Sequence, residues 1–220
     1  MGERTRLVRV WDAPTRLFHW VLVILLGVSW LTESRNLMQL HFLSGYSIIA
    51  LLLFRLAWGF VGSDTARFAG FVKGPLEALR HLARLHQRTL DTEIGHNAAG
   101  GWMILLMLAL LIVQVATGLF ANDDADTEGP LFRYVTKESS DWLSHIHAVN
   151  FTLIKIAVVA HIVAIVVYAL VKQHDLLWPM ITGSKNLPNA LPRPAMVHPA
   201  RALIVFAIAA AVVALVVNLL

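Results

Sequence analysis

His147 and His161 sit fourteen residues apart in one apolar run, "SHIHAVNFTLIKIAVVAHIVAIVVY". At about 100° per residue this spacing is roughly 40° short of four whole helical turns, so both imidazoles project from nearly one face, about 21 Å apart along the axis. His145, about 200° from His147, points the opposite way. Two more histidines open other apolar runs, His19 in "RLFHW" and His41 in "MQLHF". A neutral imidazole is a metal ligand and, near neutral pH, a proton carrier. The elements that position these four side chains decide which role applies.

The chain has 220 residues, 57% hydrophobic and 15% charged. Its apolar residues fall into five blocks, roughly 17–31, 40–61, 98–121, 142–171 and 202–220. A bilayer crossing takes about 20 apolar residues, and a lipid-exposed backbone must satisfy its own hydrogen bonds. The expected fold is therefore an all-α membrane protein. The first block has a basic flank but no small-x-small cleavage pattern after it, so it reads as a retained helix and not a signal peptide. The N-terminus and the 62–97 and 172–201 loops carry 13 of the 18 Lys and Arg residues. By the positive-inside rule these segments are cytoplasmic, which places the C-terminus of a five-span chain outside. The net charge of +4 then reflects topology, and no folded basic domain remains to bind nucleic acid. There is no cysteine, which removes disulfides, Cys-ligated iron–sulfur clusters, thiol catalysis and covalent c-type haem. No phosphate-binding loop or dinucleotide fingerprint is present.

Between the second and third blocks, residues 74–90 read as an amphipathic helix on the cytoplasmic leaflet. Pro75 starts it, Leu76, Leu79, Leu82 and Leu85 form one side, and Arg80, Arg84 and Arg88 the other. His81 and His86 are expected at its surface. Residues 176–200 include "KNLPNALPRPAMVHPA", with four prolines, Pro188, Pro192, Pro194 and Pro199, and read as an extended linker. The last helix, 201–220, has no ionisable residue after Arg201 and reads as an anchor facing lipid or a partner.

With this topology the histidines pair by depth. His41 and His147 belong near the outer surface, His19 and His161 near the cytoplasmic one. Imidazoles facing each other across a helix bundle suit bis-histidine haem, with Gly45 and Ala148 leaving room beside the outer pair. Arg55, fourteen residues beyond His41, needs an anionic partner in the membrane, and a propionate of the inner haem supplies one. Lys155 lies near the bilayer middle, where it fits a propionate contact, a proton shuttle or an ion pair. Gln114 and Ser29 are positioned for hydrogen bonds between helices.

Residues 8–175 resemble the prokaryotic cytochrome b561 family, which includes the b-type cytochrome subunits of membrane-bound nickel–iron hydrogenases. The resemblance rests on "VWDAPTRLFHW", "HFLSGYSIIALLLFRLAWGFVGSDTARFAGFV", "EIGHNAAGGW" and the His147/His161 pair. It implies a four-helix core over 1–175 holding two non-covalent haem b groups, with a fifth transmembrane helix outside that core. The implied ligands are His19 and His161 for the inner haem and His41 and His147 for the outer one. His96 and Asn97, in "GHN", are then contacts to propionates or quinone, or alternatively a helix cap with an interfacial histidine. Arg67, in "ARF", either reaches an inner propionate or serves topology alone. Where many relatives read "GHNP", this chain has "GHNA".

The function implied is electron transfer in the bacterial inner membrane between ubiquinone or menaquinone and a periplasmic redox protein. A c-type cytochrome or a hydrogenase-like subunit is the expected kind of partner, and a homodimer is compatible with the pattern. The acidic 122–141 loop would steer a basic partner. One alternative is a quinone oxidoreductase fed by a small diffusible donor such as superoxide. Another is a haem-free proton or metal transporter using His41, Lys155 and His161, against which stands the near absence of carboxylates in the spans. A third is a structural anchor, which has no need of inward histidines at two depths.

Overall fold

The computed structural model describes residues 4–87, 89–125 and 127–219. In chain order the elements are β1 (Thr5–Arg9), α1 (Ala13–Ser34), α2 (Met38–Val61), α3 (Phe68–Phe71), α4 (Pro75–Ala83), α5 (Ala98–Gly118), α6 (Lys137–Val167), α7 (Leu177–Thr182), β2 (Ser184–Pro188) and α8 (Pro199–Leu219). Short 3₁₀ turns lie at Asp64–Ala66 and Phe132–Tyr134, and α6 continues into a π-helical turn at Tyr168–Lys172. Five of these helices are long and apolar enough to cross a membrane. Their ends run past the apolar blocks because caps and polar first turns extend a helix beyond its lipid-compatible stretch. Thus α1 starts at Ala13 and not at residue 17, and α6 at Lys137 and not at 142.

Backbone contacts divide the chain into two compact units, each assembled from pieces distant in sequence. The first comprises Met1–His19, Arg55–Leu105 and Val159–Leu203. Here β1 pairs antiparallel with β2, from Thr5 opposite Pro188 to Arg9 opposite Ser184. Val8, Val10, Trp11 and Leu187 are buried beneath the pair, with Ile94, Met180 and Leu191 packed against them. Gly183 ends α7 with φ +90°, a conformation that favours glycine. Its carbonyl accepts the Val10 and Trp11 N–H groups at 2.8 and 3.0 Å.

The expected extended linker over 176–200 is corrected by this arrangement. A helix and a strand occupy 177–188, because the four prolines sit at the last strand position or later and spare the pairing of 184–187. Even the irregular remainder is tied down: Ala195 N–H donates to Asp64 Oδ2 at 2.7 Å and Val197 N–H to Ser63 Oγ at 3.0 Å. Pro199 then takes the first position of α8, where its missing N–H costs nothing.

The expected amphipathic helix over 74–90 ends at Ala83. From Arg84 onward the bonds become i→i−3, as in Arg84 N–H to His81 O and Leu85 N–H to Leu82 O, and the helix winds out. Leu76, Leu79 and Leu82 are exposed, as a leaflet-facing side requires. Arg88 lies outside the described residues.

Asp12 starts α1. Its Oδ1 accepts the Thr15 N–H at 2.8 Å, an N-cap, while Oδ2 accepts the indole N–H of fully buried Trp58 at 3.0 Å. Asp12→Ala removes the cap, worth about 1 kcal/mol, and the hydrogen bond from Trp58 to a carboxylate, worth about 1.5–3 kcal/mol more. We expect a melting temperature in detergent several degrees below wild type. An unchanged melting curve would show that neither bond matters to stability.

The second unit comprises Trp20–Phe54, Leu106–Val158 and Ile204–Leu220. Polar side chains join its apolar helices. Buried Asn150 donates to the Leu110 carbonyl at 2.9 Å and to Gln114 Oε1 at 2.8 Å, and buried Ser140 donates to the Phe120 carbonyl at 2.6 Å. Phe54 of α2 meets Phe206 of α8 edge-on at 6.1 Å.

Candidate functional site

In the second unit, α2 and α6 bring His41 and His147 together with ring centroids 6.4 Å apart and planes at 78°. His41 Nδ1 lies 2.9 Å from the Ser29 carbonyl and 3.2 Å from its hydroxyl. His147 Nδ1 lies 2.9 Å from the Gln114 carbonyl and 3.3 Å from Thr117 Oγ1. A carbonyl only accepts, so each Nδ1 carries the proton and each Nε2 keeps its lone pair. The Gln114 amide, 3.1 Å from His147 Nε2, donates to that lone pair. Imidazoles held by Nδ1–H to a backbone carbonyl are oriented and made more basic as metal ligands. His145 is exposed, as its helical phase predicts.

A cavity of about 230 Å³ opens beside this pair, lined by His41, Gly45, Gln114, Gly118 and His147 among others. A Cβ at Gly45 would meet no described atom within 4 Å, so that glycine faces open space. A Cβ at Gly118 would stand 2.8 Å from His147 Cε1, so the backbone of α5 touches the imidazole ring directly.

In the first unit, His19 and His161 approach with ring centroids 6.5 Å apart and planes at 53°. Arg55 is 3% exposed, its guanidinium carbon 4.9 Å from the Phe68 ring centre and 6.0 Å from that of Phe71. Its Nη1 is buried and, among the described residues, has no hydrogen-bond partner. Asp12 acts on it electrostatically, yet that carboxylate is engaged by Thr15 and Trp58. His96 lies between Trp11, at 4.5 Å, and Phe71, at 5.1 Å. Loss of hydration, with Arg55, His161 and His19 nearby, holds its pKa down to about 3, so it is neutral at physiological pH. Its Nδ1 is buried with no hydrogen-bond partner among the described residues. His96 is half-buried, with rings of two other segments against it.

Asn97 is a helix cap and more. Its Oδ1 accepts the Gly100 N–H at 2.8 Å, and its Nδ2 donates to the Tyr168 hydroxyl at 2.9 Å. His81, expected at a surface, instead stacks on Tyr168 with planes 11° apart and Nε2 2.7 Å from the same hydroxyl. Arg67 is half exposed and engaged elsewhere, with Nε donating to the Gly62 carbonyl at 2.8 Å and Asp64 at 3.6 Å. Lys155 is exposed on α6, its ammonium 5.0 Å from the Phe151 ring centre. The interior relay through His41, Lys155 and His161 thus lacks its middle member. Among the described residues, no group of three or more His, Asp or Glu side chains could hold a metal ion.

A family model, prokaryotic cytochrome b561, matches residues 10–183. The chain belongs to the prokaryotic cytochrome b561 family. No curated protein and no solved structure matches. As a cytochrome b561 the chain is a membrane b-type cytochrome, a multi-pass electron-transfer protein that binds haem b. The match continues through α7 to its C-terminal Gly183, beyond the 8–175 that the motifs cover. The residues present fit the cofactor. Paired imidazoles suit iron, and the Gly45 space suits a flat macrocycle. The buried guanidinium, with an unpaired Nη1, calls for an anionic oxygen of the kind a propionate carries.

Sequence reading missed five contributors to this cytochrome b561 site. Gly118 and Thr117 stand in an unremarked "ATG" at the end of α5. Tyr168 lies seven residues after His161, about 20° short of two turns, so its phase marks it as sharing the face of that histidine. Trp11 and Asp12, in "VWDAP", had a signal only as family motif.

Proposed function

We propose that this cytochrome b561 holds two haem b groups, one between His19 and His161 and one between His41 and His147. It moves electrons between the membrane quinone pool and a periplasmic redox protein. The observation that carries this reading is the pair of imidazole pairs, at 6.5 and 6.4 Å. Each pair draws its two members from different helices.

Haem b, when bound, supplies one-electron ferric/ferrous chemistry. The chain holds and tunes it. Backbone carbonyls of Ser29 and Gln114 fix the tautomers of His41 and His147, so that Nε2 would be the atom to hold iron, on His147 in exchange for its contact with the Gln114 amide. Arg55 and neutral His96 offer N–H groups to the propionates of the His19/His161 haem, while Arg67 stays with Gly62 and Asp64. A four-helix core of α1, α2, α5 and α6, spanning 1–175 and followed by α8, is the arrangement proposed. The N-terminus is cytoplasmic, the inner haem belongs to the cytoplasmic side, and the C-terminus is periplasmic. Ubiquinone or menaquinone is the quinone. A c-type cytochrome or hydrogenase-like subunit is the partner, drawn by the acidic 122–141 loop.

The test is a dithionite-reduced minus oxidised optical spectrum of the purified protein, with haem and protein quantified on one sample. We expect a sharp b-type α band and two haems per chain. Folded protein made with ample haem yet carrying none would sink the proposal.

A further inference from the structure

We propose that His81 and Tyr168, with Asn97 as a positioning residue, form a proton relay that serves quinone chemistry in the first unit. The proposal rests on the quinone reading above and adds the route by which protons leave or arrive. Three elements converge on one hydroxyl. Asn97 Nδ2 donates to Tyr168 Oη at 2.9 Å, and His81 Nε2 lies 2.7 Å from the same atom. The Asn97 amide cannot be turned over, because its Oδ1 accepts the N-cap bond from Gly100. With Asn97 donating to Oη, the phenol proton is free to serve the lone pair of His81 Nε2 when His81 carries its own proton on Nδ1. In that tautomer the chain Asn97 N–H, Tyr168 O–H, His81 N is a continuous hydrogen-bonded path along which a proton can pass to His81.

Tyr168 opens the π-helical turn Tyr168–Lys172, and Gln173 in the left-handed region, φ 58°, ends it. Such turns mark functional positions in many helices. Seven residues from His161, Tyr168 shares its helical phase, which joins the relay to the face that carries the proposed ligand. On the far side is a cavity of about 60 Å³, lined by His81, Asn97, Tyr168, Lys172 and His174 among others. That is far below the roughly 300 Å³ of ligand-sized pockets and has room for about four water molecules. An ion pair of Lys185 with Asp91, joined by His174 at 3.9 Å from Asp91, lies along it. The groups acting on His81 are Glu93 and Glu77, which favour its cation, and Lys172 and His174, which oppose it. Burial outweighs them and lowers its pKa, which favours the neutral imidazole and keeps the cation formed on accepting a proton from being trapped.

Oxidation of a quinol breaks two O–H bonds and gives the quinone, two electrons and two protons. Haem b, when bound in its ferric state, would take up the electrons one at a time. Each proton replaces the one that Tyr168 Oη hands to His81 Nε2, His81 releases its Nδ1 proton to water in the cavity, and exchange through that water restores the Nδ1–H tautomer before the second proton follows. Quinone reduction runs the same steps in reverse.

The experiment is stopped-flow reduction of the full-length haem-loaded protein, followed at the α band. Decylubiquinol and a short-chain menaquinol are the proton-carrying donors, and reduced methyl viologen is the proton-free one. Tyr168→Phe keeps the ring and its stack, and His81→Ala removes the acceptor. We expect full haem content and unchanged viologen rates in both variants. The quinol rates should fall on the order of a hundredfold, as for loss of a general acid–base group. Imidazole in the buffer should restore His81→Ala but not Tyr168→Phe. Wild-type quinol rates in either variant would overturn the relay and leave the quinone reading intact. Slowing of His81→Ala without imidazole rescue would overturn it in favour of a packing role. A wild-type protein reduced by viologen but by neither quinol would overturn the quinone reading, and the relay with it.

Discussion

On the proposed two-haem arrangement, His161→Ala should leave the protein with about one haem per chain, its α-band amplitude falling to about half, because a proposed ligand of the first-unit haem is gone. His19, 6.5 Å away across the pair, cannot hold the group alone in a low-spin bis-histidine state. The second-unit pair, with its own carbonyl anchors at Ser29 and Gln114, keeps its haem. His147→Ala gives the complementary loss. His145→Ala, two residues from His147 but exposed, changes neither. Haem quantified against protein, with the low-spin electron paramagnetic resonance signals of the remaining centre, reads all three variants. Both haems at full occupancy in His161→Ala would refute the assignment of that residue.

Gly118→Val has the next largest effect, and it acts without touching a ligand's identity. The new Cβ would stand 2.8 Å from His147 Cε1 and 3.1 Å from Nδ1, closer than non-bonded carbon atoms approach. The imidazole must turn, which breaks its 2.9 Å bond to the Gln114 carbonyl and takes Nε2 off its line. Overpacking of this kind costs about 1–3 kcal/mol, and tenfold in affinity corresponds to about 1.4 kcal/mol. We expect haem retention in the second unit weakened by roughly ten- to a hundredfold, read by haem transfer to apomyoglobin. The first-unit haem should be unaffected. Wild-type transfer kinetics would show that the ring has room to move without loss of ligation.

The five long helices were legible because a bilayer leaves the sequence little freedom. About 20 apolar residues per crossing and internal backbone bonding are required, and both are local properties. The phase of His147, His161 and Tyr168 is likewise fixed by one helix alone. Four histidines among apolar residues are costly enough to announce themselves. What failed to show was local structure made by distant partners. "TRLVR" is too short and too charged to read as a strand, and it becomes one through residues 184–188. His81 looked like a surface residue because its stacking partner, Tyr168, is 87 positions away.

By itself, then, the sequence determined that this is a multi-pass helical membrane protein of the cytochrome b561 family. It also set which histidines share a face. Tertiary structure decided what those side chains meet. It put the Ser29 and Gln114 carbonyls against two imidazoles, Phe68 beside the Arg55 guanidinium, and Trp11 and Phe71 around His96. Helical phase and hydropathy repeat every few residues and can be read along the chain. Tautomer, burial and a guanidinium left with an unpaired nitrogen depend on atoms from about a dozen to more than eighty residues away, which only the folded backbone brings within 3 to 6 Å.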